Sequence, residues 1–155
     1  MDPGFGRVGY GVLDRRGGGL SPVVYGLIQT DQSLTAPERL RQIHESVTRL
    51  MKEHSPDCLA TERLIFAANR KTAFAVARGL GVVLLAGAEA GLPWTEYTPA
   101  EVKMTVTGSG SADKQQVQFM VTRLLGLAAP PKSADASDAL AVAICHAHCE
   151  RVRSL

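Results

Sequence analysis

Ala134-Asp135-Ala136-Ser137-Asp138-Ala139-Leu140, running on into Ala141-Val142-Ala143-Ile144, places two carboxylates three residues apart at the front of an apolar helical pattern. Three residues is nearly one helical turn, so Asp135 and Asp138 share a face. In a first turn the unpaired backbone N–H groups and the helix dipole favour negative charge, which keeps both ionised. Asp and Ser are also ordinary capping residues, and taken alone the stretch asks for nothing more. Its company asks for more. Asp2 in Asp2-Pro3-Gly4 and Glu62 in Ala60-Thr61-Glu62-Arg63 each sit where a predicted apolar strand ends, and acids in such places rarely serve a core.

Working outward, Arg7 to Asp14 carries Val8, Tyr10 and Val12 at strand spacing, and Arg15-Arg16-Gly17-Gly18-Gly19 follows as a turn into a second strand from about Pro22 to Thr30. Pro37 to His54 is a helix with Leu40, Ile43, Val47, Leu50 and Met51 on its apolar side, stopped by Ser55-Pro56. Cys58 to Thr61 is a short buried strand delivering Glu62. The helix from about Asn69 to Gly91 is apolar nearly all round, so it is either wholly internal or turns a second face to a partner subunit, with Gly79, Gly81 and Gly87 permitting close approach. Pro93 to Thr98 is a strand, Pro99 to Val106 a short helix carrying Lys103, and Thr107-Gly108-Ser109-Gly110-Ser111-Ala112-Asp113-Lys114 a Gly/Ser loop opening the next helix. Backbone N–H groups, Ser111 and a lysine at such a loop suit a phosphate, although the Gly-Lys-Ser/Thr ending of a P-loop is missing. Ala128 to Lys132 then connects to the acidic helix. Strands followed by alternating helices and strands predict an α/β fold with a mixed sheet, and ligand sites in such folds collect at strand ends.

A chain of 155 residues suits one domain, 1–155, able to bury roughly 70% of its unfolded surface without disulfides or a structural metal. An apolar content of 45% excludes disorder and fibrous repeats, and the net charge of +2 says little about partners. Three cysteines in no framework spacing indicate a reducing compartment, and Cys145 and Cys149, one turn apart, are expected in the core. The chain opens without an apolar leader, and its longest uncharged apolar run, Gly79 to Ala88, is far short of the roughly 20 residues that span a bilayer. No membrane partner is expected, and the location is cytoplasmic.

If Asp2, Glu62, Asp135 and Asp138 converge, four ionised carboxylates within a few ångströms raise one another's pKa values unless a cation offsets them. Hard oxygen donors without His or Cys select Mg²⁺ or Mn²⁺. Two such ions sharing Asp2 would activate water and stabilise the leaving oxygen of a phosphodiester, while Lys103 and Lys114 hold the substrate backbone. Arg70, Lys71 and Arg78 are further candidates for DNA phosphates.

The same residues carry a family likeness. Asp2-Pro3-Gly4 followed by Gly9-Tyr10-Gly11-Val12, Glu62 ahead of Ala67-Ala68-Asn69, Gly108 to Val117, and Ala134 to Ala141 resemble, in order and separation, the RuvC family of bacterial Holliday junction resolvases. The resemblance spans essentially the whole chain. It implies an RNase H-like fold with a mixed five-stranded sheet flanked by helices, a homodimer, and Mg²⁺-dependent nicking of two like strands at a four-way DNA junction. It also implies two ions per active site and partnership with the RuvA and RuvB branch-migration proteins. Asp2, Glu62, Asp135 and Asp138 fall on the family's acidic tetrad, Lys103 and Lys114 on its basic residues, and the apolar helix after Glu62 on its dimer helix.

Two departures stand out. The family carries several apolar residues before its first Asp, whereas Met1 alone precedes Asp2, so either the first strand is a stub or the true start lies upstream. With the start at Met1, an α-amine beside Asp2 competes with the metal, and weakened metal affinity is expected. The family often places an aromatic three residues after the Glu; Ile65 stands there, and Phe66 is the candidate base-stacking side chain in its place. An RNase H-like nuclease acting on RNA, or a junction-binding protein with impaired catalysis, remain as the competing expectations.

Overall fold

The structure, a computed structural model, describes residues 1–64 and 70–153. Among the described residues, five strands and five helices follow one another as β1 (Asp2–Pro3), β2 (Arg7–Arg16), β3 (Gly19–Gln29), α1 (Ala36–His54), β4 (Leu59–Glu62), α2 (Arg70–Glu89), β5 (Trp94–Tyr97), α3 (Pro99–Thr107), α4 (Lys114–Leu124) and α5 (Ala134–Arg153).

The β2–β3 hairpin turns on two residues. Gly17 and Gly18 both take positive φ, at 58° and 86°, which only glycine adopts without strain, and this tight connection lets the ladder run to Arg16 opposite Gly19. The turn expected over Arg15–Gly19 is therefore shorter than its composition suggests. A register irregularity falls between Val12 and Leu13, where Pro22 on β3 has no N–H for the ladder.

The expected single five-stranded mixed sheet is resolved into two hydrogen-bonded sheets. One is antiparallel, in the order β1-β2-β3, and the other pairs β4 and β5 in parallel. The division falls where β1 contributes only two paired residues, Asp2 opposite Gly9 and Pro3 opposite Val8. The Met1 amine donates to the Ala60 carbonyl and joins β1 to β4 beside that gap.

Helices cover both faces. Val8, Ile43, Val47, Met51, Leu59, Val83 and Ala86 form one buried cluster beneath α1 and α2. Tyr97, Val102, Val117, Val121, Leu140, Ile144 and Cys145 belong to the other, beneath α3, α4 and α5. Neighbouring residues on a strand point to opposite sides, so Leu59 packs into the first cluster and Ala60 against the second.

The apolar helix α2 is not wholly internal. Gly79, Val83, Ala86 and Gly87 are buried, and Gly79 lies so close to the Gly4 carbonyl that a side chain would collide with it. The opposite face carries Phe74, 66% exposed, and Leu85, 53% exposed. Among the described residues no helix is long and apolar enough to cross a membrane.

Candidate active site

Asp2 reaches its position as the first residue of β1, paired with Gly9 across the ladder. Gly9 in turn lies against the backbone of Asp135, with no room for a side chain between them. One glycine thus brings the start of α5 down onto the strand beside Asp2. Glu62 ends β4 opposite Tyr97 of β5, and its neighbours are pinned. The Thr61 hydroxyl accepts from the Trp94 indole at 3.0 Å, the Arg63 N–H donates to the Tyr97 carbonyl at 2.7 Å, and Arg63 Nε donates to Glu96 at 2.9 Å. On α5, Asp135 and Asp138 flank the buried Ser137 in the first turns.

These acids feel one another. The Asp2 carboxyl is pushed up to about 6, first by burial and then by the charges of Asp138 and Asp135, with the Met1 amine and Lys114 acting in the opposite sense. Glu62 is raised to about 7 by burial and by Asp2 and Asp138, against Lys114 and Lys103. Burial lowers the Met1 amine to about 6, although Asp2 and Glu62 favour its charge. Asp2 therefore lies in the field of Asp138, Asp135 and Lys114, and Glu62 in that of Asp2, Asp138, Lys114 and Lys103.

Two cations engage the α5 acids directly. Lys114 Nζ donates to Asp138 Oδ2 at 3.4 Å, and Arg7 Nε lies 3.0 Å from Asp135 Oδ2. The second contact is an ion pair without a hydrogen bond, because the buried Oδ2 of Asp135 accepts none. Nothing in the local spacing of Arg7 announced it; it appeared in the sequence only as the first residue of a strand.

The remaining candidates are scattered. Ser111 sits on the loop before α4, its hydroxyl 3.0 Å from that of Ser109, and lines an open groove with Thr107, Gln115 and Phe119. Arg78 is exposed on α2. Arg70 and Lys71 are described as the first residues of α2, and Phe66 lies outside the described residues. Cys145 packs in the core as expected, while His146 accepts a separate role between the Cys58 thiol at 3.1 Å and the Tyr97 hydroxyl at 2.9 Å.

Whether these residues suit a divalent ion is a question of donor type, charge and closure. Among the described residues no three His, Cys, Asp or Glu side chains stand close enough to hold one ion as they are. Donor type and charge fit: these acids are hard oxygen donors, two are raised by burial and then by neighbouring carboxylates, and one presents a buried oxygen with no hydrogen bond.

An α/β fold with acids gathered at adjoining strand and helix ends, and lysines facing them, has the make-up of a nuclease. The family model described as crossover junction endodeoxyribonuclease RuvC matches residues 1–146. The curated RuvC of Desulforamulus reducens is 46% identical over 147 residues, covering 95% of this chain and 90% of that protein. The RuvC of Desulfitobacterium hafniense is 48% identical over 148 residues, covering 96% and 90%. A solved structure of T. thermophilus RuvC in complex with a Holliday junction substrate matches with a TM-score of 0.93 at 34% identity, over 98% of this chain and 93% of that one. The chain belongs to the RuvC family of crossover junction endodeoxyribonucleases.

Proposed function

We propose that this protein is a Holliday junction resolvase that nicks two like strands symmetrically at a four-way DNA junction in recombination and repair. The observation that carries this is the near end-to-end structural match to a RuvC caught with its junction substrate. Asp2, Glu62, Asp135 and Asp138 are the residues that would hold divalent ions, Mg²⁺ with Mn²⁺ as a substitute, two per site. When bound, such ions supply a water of lowered pKa and charge stabilisation for the leaving oxygen.

The chain's own residues do the rest. Asp2 feels the charges of Asp138 and Asp135 and itself raises Glu62, and so is suited to be a shared metal ligand. Lys103 and Lys114 oppose the acidic field and are suited to hold a DNA phosphate over it. Ser111 and Arg78, with Arg70 and Lys71, extend the proposed DNA contacts along the loop before α4 and the start of α2. The exposed apolar face of α2 supports a homodimer, which two symmetric nicks demand. RuvA and RuvB are the proposed branch-migration partners, and a DNA substrate with three free thiols in the chain suits the cytoplasm.

The deciding experiment compares cleavage of a four-way DNA junction with duplex, single-stranded and RNA substrates in Mg²⁺, with and without EDTA, for wild type and Asp2→Asn. Junction-selective nicking that EDTA abolishes and Asp2→Asn loses, with junction binding retained, is the expected result. Preference for RNA would replace the substrate assignment, and nicking unchanged in Asp2→Asn would remove Asp2 from the chemistry.

A further inference from the structure

Arg7 is the unexpected member of the site. It begins β2, two residues before Gly9, the ladder partner of Asp2, and places its guanidinium against Asp135. The pair is lopsided. The Arg7 side chain is 62% exposed whereas that of Asp135 is 20% exposed, and the contacted oxygen is buried and accepts no hydrogen bond. A guanidinium held for structure normally forms parallel N–H···O bonds with its carboxylate; here charge is supplied without that geometry.

The segment carrying Arg7 is itself braced. Arg39 of α1 donates from Nε to the Thr30 hydroxyl at 2.9 Å and lies over the Phe5 ring at 4.5 Å. Thr30 bonds back to the Gly6 carbonyl through both its amide, at 3.0 Å, and its hydroxyl, at 3.2 Å. Residues 5 and 6 are thus fixed immediately before Arg7, while its long side chain stays largely in solvent. This is a fixed base with an exposed cation at its end.

We propose that Arg7 is a placeholder cation: in DNA-free protein it neutralises Asp135 where a divalent ion would otherwise sit, and it passes to a substrate phosphate when ion and DNA arrive. Arg7 is therefore a positioning residue in the free enzyme and a phosphate contact in the complex. It opposes premature metal binding by occupying the carboxylate, and its release adds one cation to the DNA-binding surface. The inference rests on the acids being metal ligands, as proposed above.

The test uses full-length wild type, Arg7→Gln, Arg7→Lys, and Arg63→Gln as a charge control, since Arg63 pairs with Glu96 rather than with the gathered acids. Mg²⁺ affinity is read without DNA, from the rise in melting temperature with metal concentration. Arg7→Gln is expected to bind Mg²⁺ at least about tenfold more tightly, the effect of one close opposite charge on a carboxylate. Arg7→Lys and Arg63→Gln are expected within about twofold of wild type, the first because a cation remains and the second because the lost one never touched Asp135. Junction binding by Arg7→Gln is expected to weaken, with the salt slope reduced by about one. Unchanged Mg²⁺ affinity in Arg7→Gln, or an equal gain in Arg63→Gln, would overturn the placeholder role. An unchanged salt slope would overturn the transfer to phosphate. A wild type whose melting ignores Mg²⁺ would sink the metal reading and this inference together, whereas a responsive wild type with an equally responsive Arg7→Gln would sink this inference alone.

Discussion

Gly9 lies directly against Asp135: a Cβ on the glycine would overlap the Asp135 backbone carbonyl, and the same glycine is the ladder partner of Asp2. Gly9 therefore helps set the spacing between β2 and α5 beside the site, as Gly11 does against Leu140 further along. Gly9→Ala must push α5 off the sheet or distort β2, an overpacking cost of about 1–3 kcal/mol. The shift would also separate Asp135 from Asp2, and misplacement by about 1 Å typically costs on the order of 100-fold in rate. Thermal melting and junction cleavage, the latter assayed where the variant is fully folded, should both fall. Wild-type nicking in folded Gly9→Ala would show that the close approach does not position the acids.

The raised carboxyls give the metal-free protein a characteristic pH response. Asp2 is near 6 and Glu62 near 7 when folded, against ordinary values of 3.8 and 4.5, so between about pH 4 and 7 the folded state binds more protons than the unfolded. Stability in that window falls as pH rises. The Met1 amine, lowered from 8.0 to about 6, acts in the opposite sense between about pH 6 and 8, where the unfolded chain holds the extra proton. In EDTA the melting temperature should accordingly be higher near pH 5 than near pH 6.5, and Asp2→Asn with Glu62→Gln should flatten the slope. With Mg²⁺ the slope should weaken or reverse, because the ion requires ionised ligands. A metal-free melting temperature that rises steadily from about pH 5 to 6.5 would mean that burial and neighbouring charge do not raise these acids in solution.

Lys114 faces both the acids and solvent. Its ammonium is 3.4 Å from Asp138, and its side chain is mostly exposed at the N-terminus of α4. Such a pair adds little to stability, so its value should lie in binding DNA. Lys114→Ala is expected to leave the melting temperature nearly unchanged. It should weaken junction binding and lower the slope of log affinity against log salt by about one. Salt titrations superimposing on wild type would place the lysine off the DNA path.

How much of this was legible in the sequence depends on whether the signal was local. Gly17-Gly18-Gly19, Ser55-Pro56 and the strand-then-helix alternation carry their structure in adjacent residues, so the hairpin and the later described elements fell close to where they were expected, whereas Asp2, expected at a strand's end, begins β1. Asp2, Glu62, Asp135 and Asp138 were legible as site candidates because acids at strand and helix ends are conspicuous against an apolar background. The split into two sheets was not, since it depends on how many residues of β1 find partners. Arg7 escaped for a similar reason. Its partner Asp135 is near the other end of the chain, and no spacing rule joins a strand's first residue to a helix's first turn. The two readings of α2 were equally open in the sequence because apolar residues all round a helix do not say which face finds a neighbour.

Phe74, Gly81 and Leu85 share helical spacing along the exposed side of α2, and two are large apolar side chains. The monomer leaves them in water, whereas two copies packed about a two-fold axis would cover them and set two active sites at opposite strands of a junction. Leu85→Glu tests that arrangement with little risk to the fold, because the side chain is already more than half exposed. A carboxylate at the centre of an apolar helix pair should weaken self-association by about 100-fold or more, the loss usual for a buried interface anchor. Light scattering should then show a monomer with wild-type secondary structure. Nicks on the two like strands, paired in wild type, should become independent events in single-turnover cleavage. A variant that remains dimeric would move the interface away from this face of α2.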